Sequence, residues 1–275
     1  MKQYDTKIGK KDLIDFISIC KSLNMDFDGA KFESIVINTL KYLNGDVSVR
    51  NKLRHLQELE NKWYESLKNN APDYSVYDDV YYLADTWVCW KKYSREYIKR
   101  IIKNIKLKNV NSIVDLGCGI GYSTALLKET FGCKVYGTNL KNTNQYLICE
   151  KISKDADFIL VEDIKEIGKV DVVFASEYFE HFETPVEHLV DCINALKPNY
   201  ILFANTFNAK SIGHFNTYKH LGVDYNGKCI SRLFSKALNK NGYQKMITNC
   251  CNNRPNCYSL TPENLPINYT IHYGE

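Results

Sequence analysis

In the first hundred residues apolar positions recur every three or four. Leu13, Ile14, Ile17, Cys20 and Leu23 form one stripe, and Phe32, Ile35, Val36, Leu40 and Leu43 form a second before Asn44-Gly45 breaks it. A third stripe follows Asp46 through Leu53, Leu56, Leu59, Trp63 and Leu67, until Pro72 closes it. The spacing predicts three amphipathic helices. A fourth, longer helix is predicted over Val80–Lys103, aromatic at its start (Tyr81, Tyr82, Trp87, Trp90, Tyr93) and basic afterwards. From Val110 the pattern changes to short apolar runs. Ile113-Val114 leads into a glycine-rich turn, while Val170–Ala175 and Tyr200–Ala204 read as buried strands. The boundary falls in the turn Lys106–Asn111, which divides a helical N-terminal region, 1–107, from a domain spanning 108–275.

The turn after Val114 is the most informative stretch. Asp115-Leu-Gly117-Cys118-Gly119-Ile-Gly121-Tyr122 sets glycine at three alternating positions, and Ser123-Thr124-Ala125 starts a helix behind it. Glycine there allows positive φ and close approach of a ligand to the backbone at a helix N-terminus, the construction of a nucleotide cradle. A dinucleotide fingerprint needs glycine where Tyr122 stands, and there is no Gly-Lys-Ser/Thr. NAD and ATP are therefore disfavoured.

The loop resembles motif I of the class I S-adenosylmethionine (SAM)-dependent methyltransferases, and further segments follow in that family's order to about Leu260. The resemblance implies an α/β, three-layer Rossmann-like fold with a mostly parallel seven-stranded sheet and helices on both faces, preceded by the α-helical N-terminal region. It implies SAM as cofactor, with Asp115, Gly117, Cys118, Gly119 and Gly121 shaping its site. Lys134–Leu140 resembles the second strand, which ends at Asn139-Leu140 where the family carries an acid for the ribose. Phe158–Ile164 resembles the third, with Asp163 and Ile164 at the adenine. Arg232–Tyr243 resembles the last helix, capped by Gly242, with two closing strands after it.

Motif IV is the strand ending Ser176-Glu177-Tyr-Phe-Glu180-His181, with Ser176 beside the cofactor. Methyl transfer is a direct displacement, so the enzyme aligns the acceptor and, where needed, removes its proton. Glu-x-x-Glu-His resembles a divalent-metal motif of small-RNA 2′-O-methyltransferases and ubiquinone-biosynthesis O-methyltransferases. That implies Glu177, Glu180 and His181 around a metal, such as Mg2+, with a further histidine from His214 or His220. The alternative is His181 or His214 acting as a metal-free base, and the site is assigned to Glu177, Glu180, His181 and His214 without a metal. The Pro-Pro-Tyr/Phe turn of amino-methylating DNA enzymes and the Pro-Cys of cytosine C5 enzymes are absent. Phe207–Ile230, with Gly213, Gly222 and Gly227 for flexibility and Phe215, Tyr218, His220 and Tyr225 for contact, is expected to form a lid over the acceptor pocket, the alternative being a surface excursion.

Composition adds bounds. The chain has 275 residues, 44% hydrophobic and 25% charged, with a formal net charge of +4. Met1–Lys7 lacks the apolar core of a signal peptide, and ten cysteines lying mostly singly in apolar stretches suit a reducing compartment, so a cytoplasmic protein is expected, with no membrane partner. Zinc at Cys250, Cys251, Cys257 and His272 is rejected for want of a Cys-x2-Cys pair. From Lys91 to Lys108 the cations Lys91, Lys92, Arg95, Lys99, Arg100, Lys103, Lys106 and Lys108 face the single acid Glu96. With neighbouring aromatics that stripe suits phosphates and stacked bases. The other reading of the stripe is a solvated helix face whose aromatics pack on the sheet or over SAM. The expectation leans to a nucleic-acid or nucleotide acceptor, with a small-molecule hydroxyl acceptor and a catalytically inactive SAM-binding module or partner subunit as alternatives.

Overall fold

The computed structural model describes residues 10–44, 54–105, 107–246 and 255–260. Leu53, Lys106, Cys250, Cys251, His272 and the side chain of Leu43 lie outside them. Five helices come first: α1 (Lys10–Ser22), α2 (Gly29–Asn44), α3 (Arg54–Lys68), α4 (Val80–Lys92) and α5 (Ser94–Asn104). Phe32 and Ile35 of α2 and Leu56 and Trp63 of α3 are buried, as their stripes predict. In α1 the buried face is rotated: Ile14 is 51% exposed, and Phe16 takes the core position, stacked on Trp87 of α4 at 5.0 Å.

The helix predicted over Val80–Lys103 is two helices. Asp79 caps α4 through Tyr81 N and Tyr82 N, and the chain bends at Tyr93. Ser94 then turns toward the sheet, where its hydroxyl donates to Ser176 Oγ at 3.0 Å. Periodicity does not register a one-residue break, because the carbonyls of Cys89 and Tyr93 still accept on either side of it.

The sheet is β1 (Ser112–Leu116), β2 (Lys134–Thr138), β3 (Ile159–Val161), β4 (Val172–Ser176), β5 (Tyr200–Ala204), β8 (Tyr243–Met246) and β9 (Asn256–Leu260), in the order β3-β2-β1-β4-β5-β9-β8. The first five strands are parallel, and β9 runs antiparallel to both β5 and β8. Ile113, Val114, Val172, Val173, Ile201 and Leu202 are buried, as strands covered on both faces must be. α5, α6 (Tyr122–Phe131) and α7 (Asn144–Ala156) pack in a row, and α8 (Pro185–Leu196) and α9 (Gly227–Lys240) form a second helical group. The N-terminal helices and the sheet share one hydrophobic core.

Phe207–Ile230, read as a lid or a surface excursion, is packed against the rest of the fold. It contains the hairpin β6 (Tyr218–His220) and β7 (Val223–Tyr225), closed by Leu221 and Gly222 at positive φ, the requirement of a two-residue primed turn. Phe207, Ile212, Phe215 and Tyr218 are buried. α9 starts at Gly227, five residues before the predicted Arg232, because Asn226 caps it through Cys229 N. A Cβ at Gly227 would lie 2.2 Å from the Phe207 carbonyl oxygen, so this glycine serves packing. None of the described helices is long and apolar enough to cross a membrane, and among the described residues no cysteine is in a disulfide.

Candidate active site

Strand order reverses between β2-β1 and β1-β4, and ligands of open α/β sheets bind beyond the carboxyl ends of strands at such a switch point. A cavity of about 820 Å3 opens there, within the range of small-molecule sites. Of the fourteen sequence-predicted site residues twelve line it, and Gly121 and the buried Glu180 do not.

Asp115 is buried at the end of β1 and accepts from Ser123 Oγ at 2.6 Å and Thr124 Oγ1 at 2.8 Å. Burial pushes its carboxyl up to about 7, the two hydroxyls opposing. It thus pins the first turn of α6 to the strand. Gly117, Gly119 and Gly121 all have positive φ. A Cβ at Gly117 would lie 2.3 Å from Tyr178 Cδ2, whereas at Gly119 the nearest atom is Gln145 Nε2 at 3.6 Å, so Gly119 is open toward the cavity. Cys118 Sγ lies 3.4 Å from Cys149 Sγ.

Asn139 ties two loops together: its Nδ2 donates to the Gly119 carbonyl at 2.6 Å and its Oδ1 accepts from Leu140 N at 2.8 Å. An aspartate could not make the first bond, which gives the amide a local reason. Leu140 is half exposed at the cavity edge. Asp163 caps a 3-10 turn through Lys165 N, with Ile164 beside it, and both line the cavity. Ser176 lines it at the tip of β4.

The acidic end lies past β4. Glu177 has φ +53, a left-handed conformation that turns the chain directly out of the strand. Thr206 reaches both acids, its N donating to Glu180 Oε1 at 2.6 Å and its Oγ1 to Glu177 Oε1 at 3.3 Å. Glu180 is fully buried, and its Oε2 has no hydrogen-bond partner among the described residues. Burial, then the Glu177 carboxylate beside it, push Glu180 well above the usual carboxylate range. His214 donates or accepts at Nδ1 with the Ala209 carbonyl at 3.0 Å; since a carbonyl only accepts, Nδ1 carries the proton and Nε2 is left with the lone pair.

Ligand atoms of Glu177, Glu180 and His214 lie within 4.8 Å of one another. His181 stands outside this group. Its ring lies edge-on to His214 at 4.8 Å, and its Nδ1 is 2.9 Å from the Tyr77 hydroxyl. Burial, then His214, lower its pKa to about 3, so it is neutral. His220, the other histidine considered, pairs with Glu187 at 2.9 Å away from the cavity.

Several lining residues carry no sequence signal. Tyr74 and Tyr77 come from the segment between α3 and α4, of which the sequence pattern says nothing, and Tyr82 comes from the aromatic start of α4. Thr138 accepts from Gly117 N at 2.9 Å, and Gly137 lets Cys118 pack against β2, since a Cβ there would lie 2.9 Å from its sulfur. Among the aromatics of the basic stretch, Trp87 and Tyr97 are buried, while Trp90 and Tyr93 line the cavity. They do not form an exposed stacking surface. No described lysine or arginine lines the cavity, while Asp85, Asp115, Glu162, Asp163 and Glu177 do.

A family model described as a methyltransferase domain matches residues 89–245. Tocopherol O-methyltransferase, chloroplastic, of Arabidopsis thaliana is 27% identical over 99 residues, covering 33% of this chain and 28% of that protein. Malonyl-[acyl-carrier protein] O-methyltransferase of Haemophilus influenzae is 23% identical over 119 residues, covering 42% and 46%. The chain thus spans less than half the length of these curated relatives. Among solved structures, PigF with SAH is similar with a TM-score of 0.43 and 14% identity over 55% of this chain and 51% of that one. With the family match covering more than half of the chain, and the strand order and glycine loop in register with it, this protein belongs to the SAM-dependent methyltransferase family.

Proposed function

We propose that this chain transfers the methyl group of SAM to a hydroxyl oxygen of a small acceptor without negative charge near the reacting atom. The observation that carries the reading is the convergence of Glu177 and His214, which line one end of a cavity, with the buried Glu180 within 4.8 Å of both, while the glycine loop lines the same cavity. SAM would lie along Asp115, Gly117, Cys118, Gly119, Gly121, Asn139 and Asp163. The acceptor would enter between Tyr74, Tyr77 and Ser211. A cavity wall with acids and without described cations disfavours phosphates and carboxylates, because an anion there would meet like charge in a low-dielectric space.

The residues fit a divalent cation. Two carboxylates and an imidazole are a suitable donor set, and the buried, unpaired Glu180 Oε2 is costly unless something compensates it. Glu177, Glu180 and His214 would hold it, and such an ion lowers the pKa of an acceptor hydroxyl. The protein's own groups do the rest. Thr206 orients both carboxylates, Ala209 fixes the His214 tautomer, and the aromatic walls exclude water from the displacement. The names of three curated relatives, each an O-methyltransferase, support oxygen as the acceptor atom. The nucleic-acid acceptor first expected gains no such support, since the aromatics that would stack bases are in the core or the cavity.

The test is transfer of labelled methyl from SAM to a panel of neutral phenols, catechols and their carboxylated or phosphorylated analogues, with Mg2+ or a chelator. Glu180→Gln and His214→Gln should bind SAM within about twofold of wild type and lose at least about 10²-fold in turnover, the scale of one acid-base or electrophilic group. Turnover unaffected by either substitution, or confined to the anionic analogues, would reject the reading.

A further inference from the structure

Thr206–Phe215, the strap that carries His214, has no helix or strand of its own; inside it His214 bonds to Ser211 O and Ala209 O, and contacts from outside hold the strap against the rest of the fold. Helix α3 supplies them across about 150 residues of chain. Trp63, fully buried, donates its indole N–H to the His214 carbonyl at 2.7 Å. The neighbouring Tyr64 hydroxyl accepts from Ser211 N at 3.0 Å and donates to Ser211 O at 3.2 Å, engaging both polar groups of one strap residue. Phe215 then packs edge-on against Trp63 at 5.7 Å.

The clamp is itself anchored. Ser66 Oγ donates to the Trp63 carbonyl at 2.6 Å and accepts from Asp73 N at 3.0 Å, and Asp73 pairs with Lys62 at 2.8 Å. The 3-10 turn Tyr74–Asp78 continues from there and brings the Tyr77 hydroxyl to His181. Strap and turn touch at Gly213, where a Cβ would lie 2.2 Å from that hydroxyl and 2.5 Å from His181 Nδ1, so only glycine fits.

We infer that Trp63 and Tyr64 are positioning residues for methyl transfer, holding the His214 imidazole opposite Glu177 and Glu180. This rests on the reading of those three groups as the acceptor-activating set. It gives the helical N-terminal region a part in the reaction, since neither residue touches the cavity. A merely structural α3 would instead stabilise the whole protein and leave His214 where it is after a mild substitution.

Tyr64→Phe keeps the ring and removes both strap bonds; Trp63→Phe removes the indole N–H. Carbethoxylation of each histidine by diethyl pyrocarbonate, followed residue by residue in the full chain by mass spectrometry, reads the strap directly. His214, 5% exposed, should react at least about fivefold faster in both variants, while His220, 2% exposed, and SAM affinity by calorimetry stay within about twofold. Turnover should fall about tenfold in kcat with the KM for SAM unchanged, since displacement of a reacting group by about 1 Å costs up to 10²-fold. An unchanged His214 rate would overturn the inference, as would acceleration of His214 and His220 together. If Trp63→Phe does not fold, Tyr64→Phe carries the test, because it removes only a half-buried hydroxyl. Should the wild type methylate none of the acceptors tried, the labelling still decides the positioning role, and the turnover arm counts against the proposed reaction alone.

Discussion

Gly117 and Gly132 have nearly the same backbone, φ +62 and +60, yet different surroundings. A methyl at 132 meets nothing within 4 Å, whereas at 117 it meets the Tyr178 ring at 2.3 Å, and that ring is held by a 2.8 Å bond to His188. Gly132→Ala should therefore cost only the left-handed backbone penalty, about 1–2 kcal/mol. Gly117→Ala should cost about 1–3 kcal/mol more and lower SAM affinity at least about tenfold, as urea melts and calorimetry would record. Equal losses at the two sites would contradict the packing account. Asp115 makes a prediction in pH. Burial raises its carboxyl from 3.8 to about 7, so between those values the folded state holds a proton that the unfolded chain has released. Its contribution is full below about pH 4 and is lost as pH rises through 7, by at most about 1.4 kcal/mol per pH unit. Asp115→Asn should flatten the decline in urea-derived stability from pH 5 to pH 8, and a variant with the wild-type slope would show that other groups set it. The glycine spacing was readable because it is local, but the reason for each glycine was not, since Tyr178 and Gln145 reach the loop from other elements.

At the scale of elements, what could be read tracks how local the governing force is. The strands of the sheet were legible because burial on both faces leaves continuous apolar runs such as Val172–Ala175. The bend at Tyr93 was not, because the helical bonding continues on either side of it and the Ser94–Ser176 contact beside it spans 82 residues, and the hairpin at Leu221-Gly222 was hidden by its polar composition. Of the four catalytic candidates, sequence order put His181 beside Glu180, whereas the fold brings His214 to the two acids and gives His181 to Tyr77. In α4 the aromatic cluster divides. Trp87, 1% exposed, stacks on Phe16, while Trp90 faces the cavity. Trp87→Ala should destabilise by about 3–5 kcal/mol as a large-to-small core change, measured by chemical denaturation. Trp90→Ala should cost less than half of that and weaken SAM binding instead; the reverse order would mean that α4 is docked through its cavity face.

For the molecule as a whole, the remaining question is whether the basic stretch around Lys91–Lys108 guides a polyanion to the cavity. The net charge is only +4, Lys99 is partnered by Glu96 at 3.5 Å, and the described lining of the cavity offers acids to whatever enters. A nucleic acid engaging six or more of these eight cations would release counterions and lose on the order of 10³-fold or more in affinity between about 50 and 200 mM salt. A small neutral acceptor recognised by tyrosines and by Glu177, Glu180 and His214 releases none. Turnover with such an acceptor should therefore change by less than about twofold over that salt range, and Arg95→Glu with Lys99→Glu should leave kcat/KM within about twofold, because charge steering acts on a charged ligand only. A polyanion that competes with this acceptor, with a steep fall in its affinity with salt that the double substitution removes, would mean that the stretch guides a polyanion to the cavity. It would also mean that the acids of the cavity wall are screened in the complex by cations of the stretch, which would reopen the nucleic-acid reading from the surface inward.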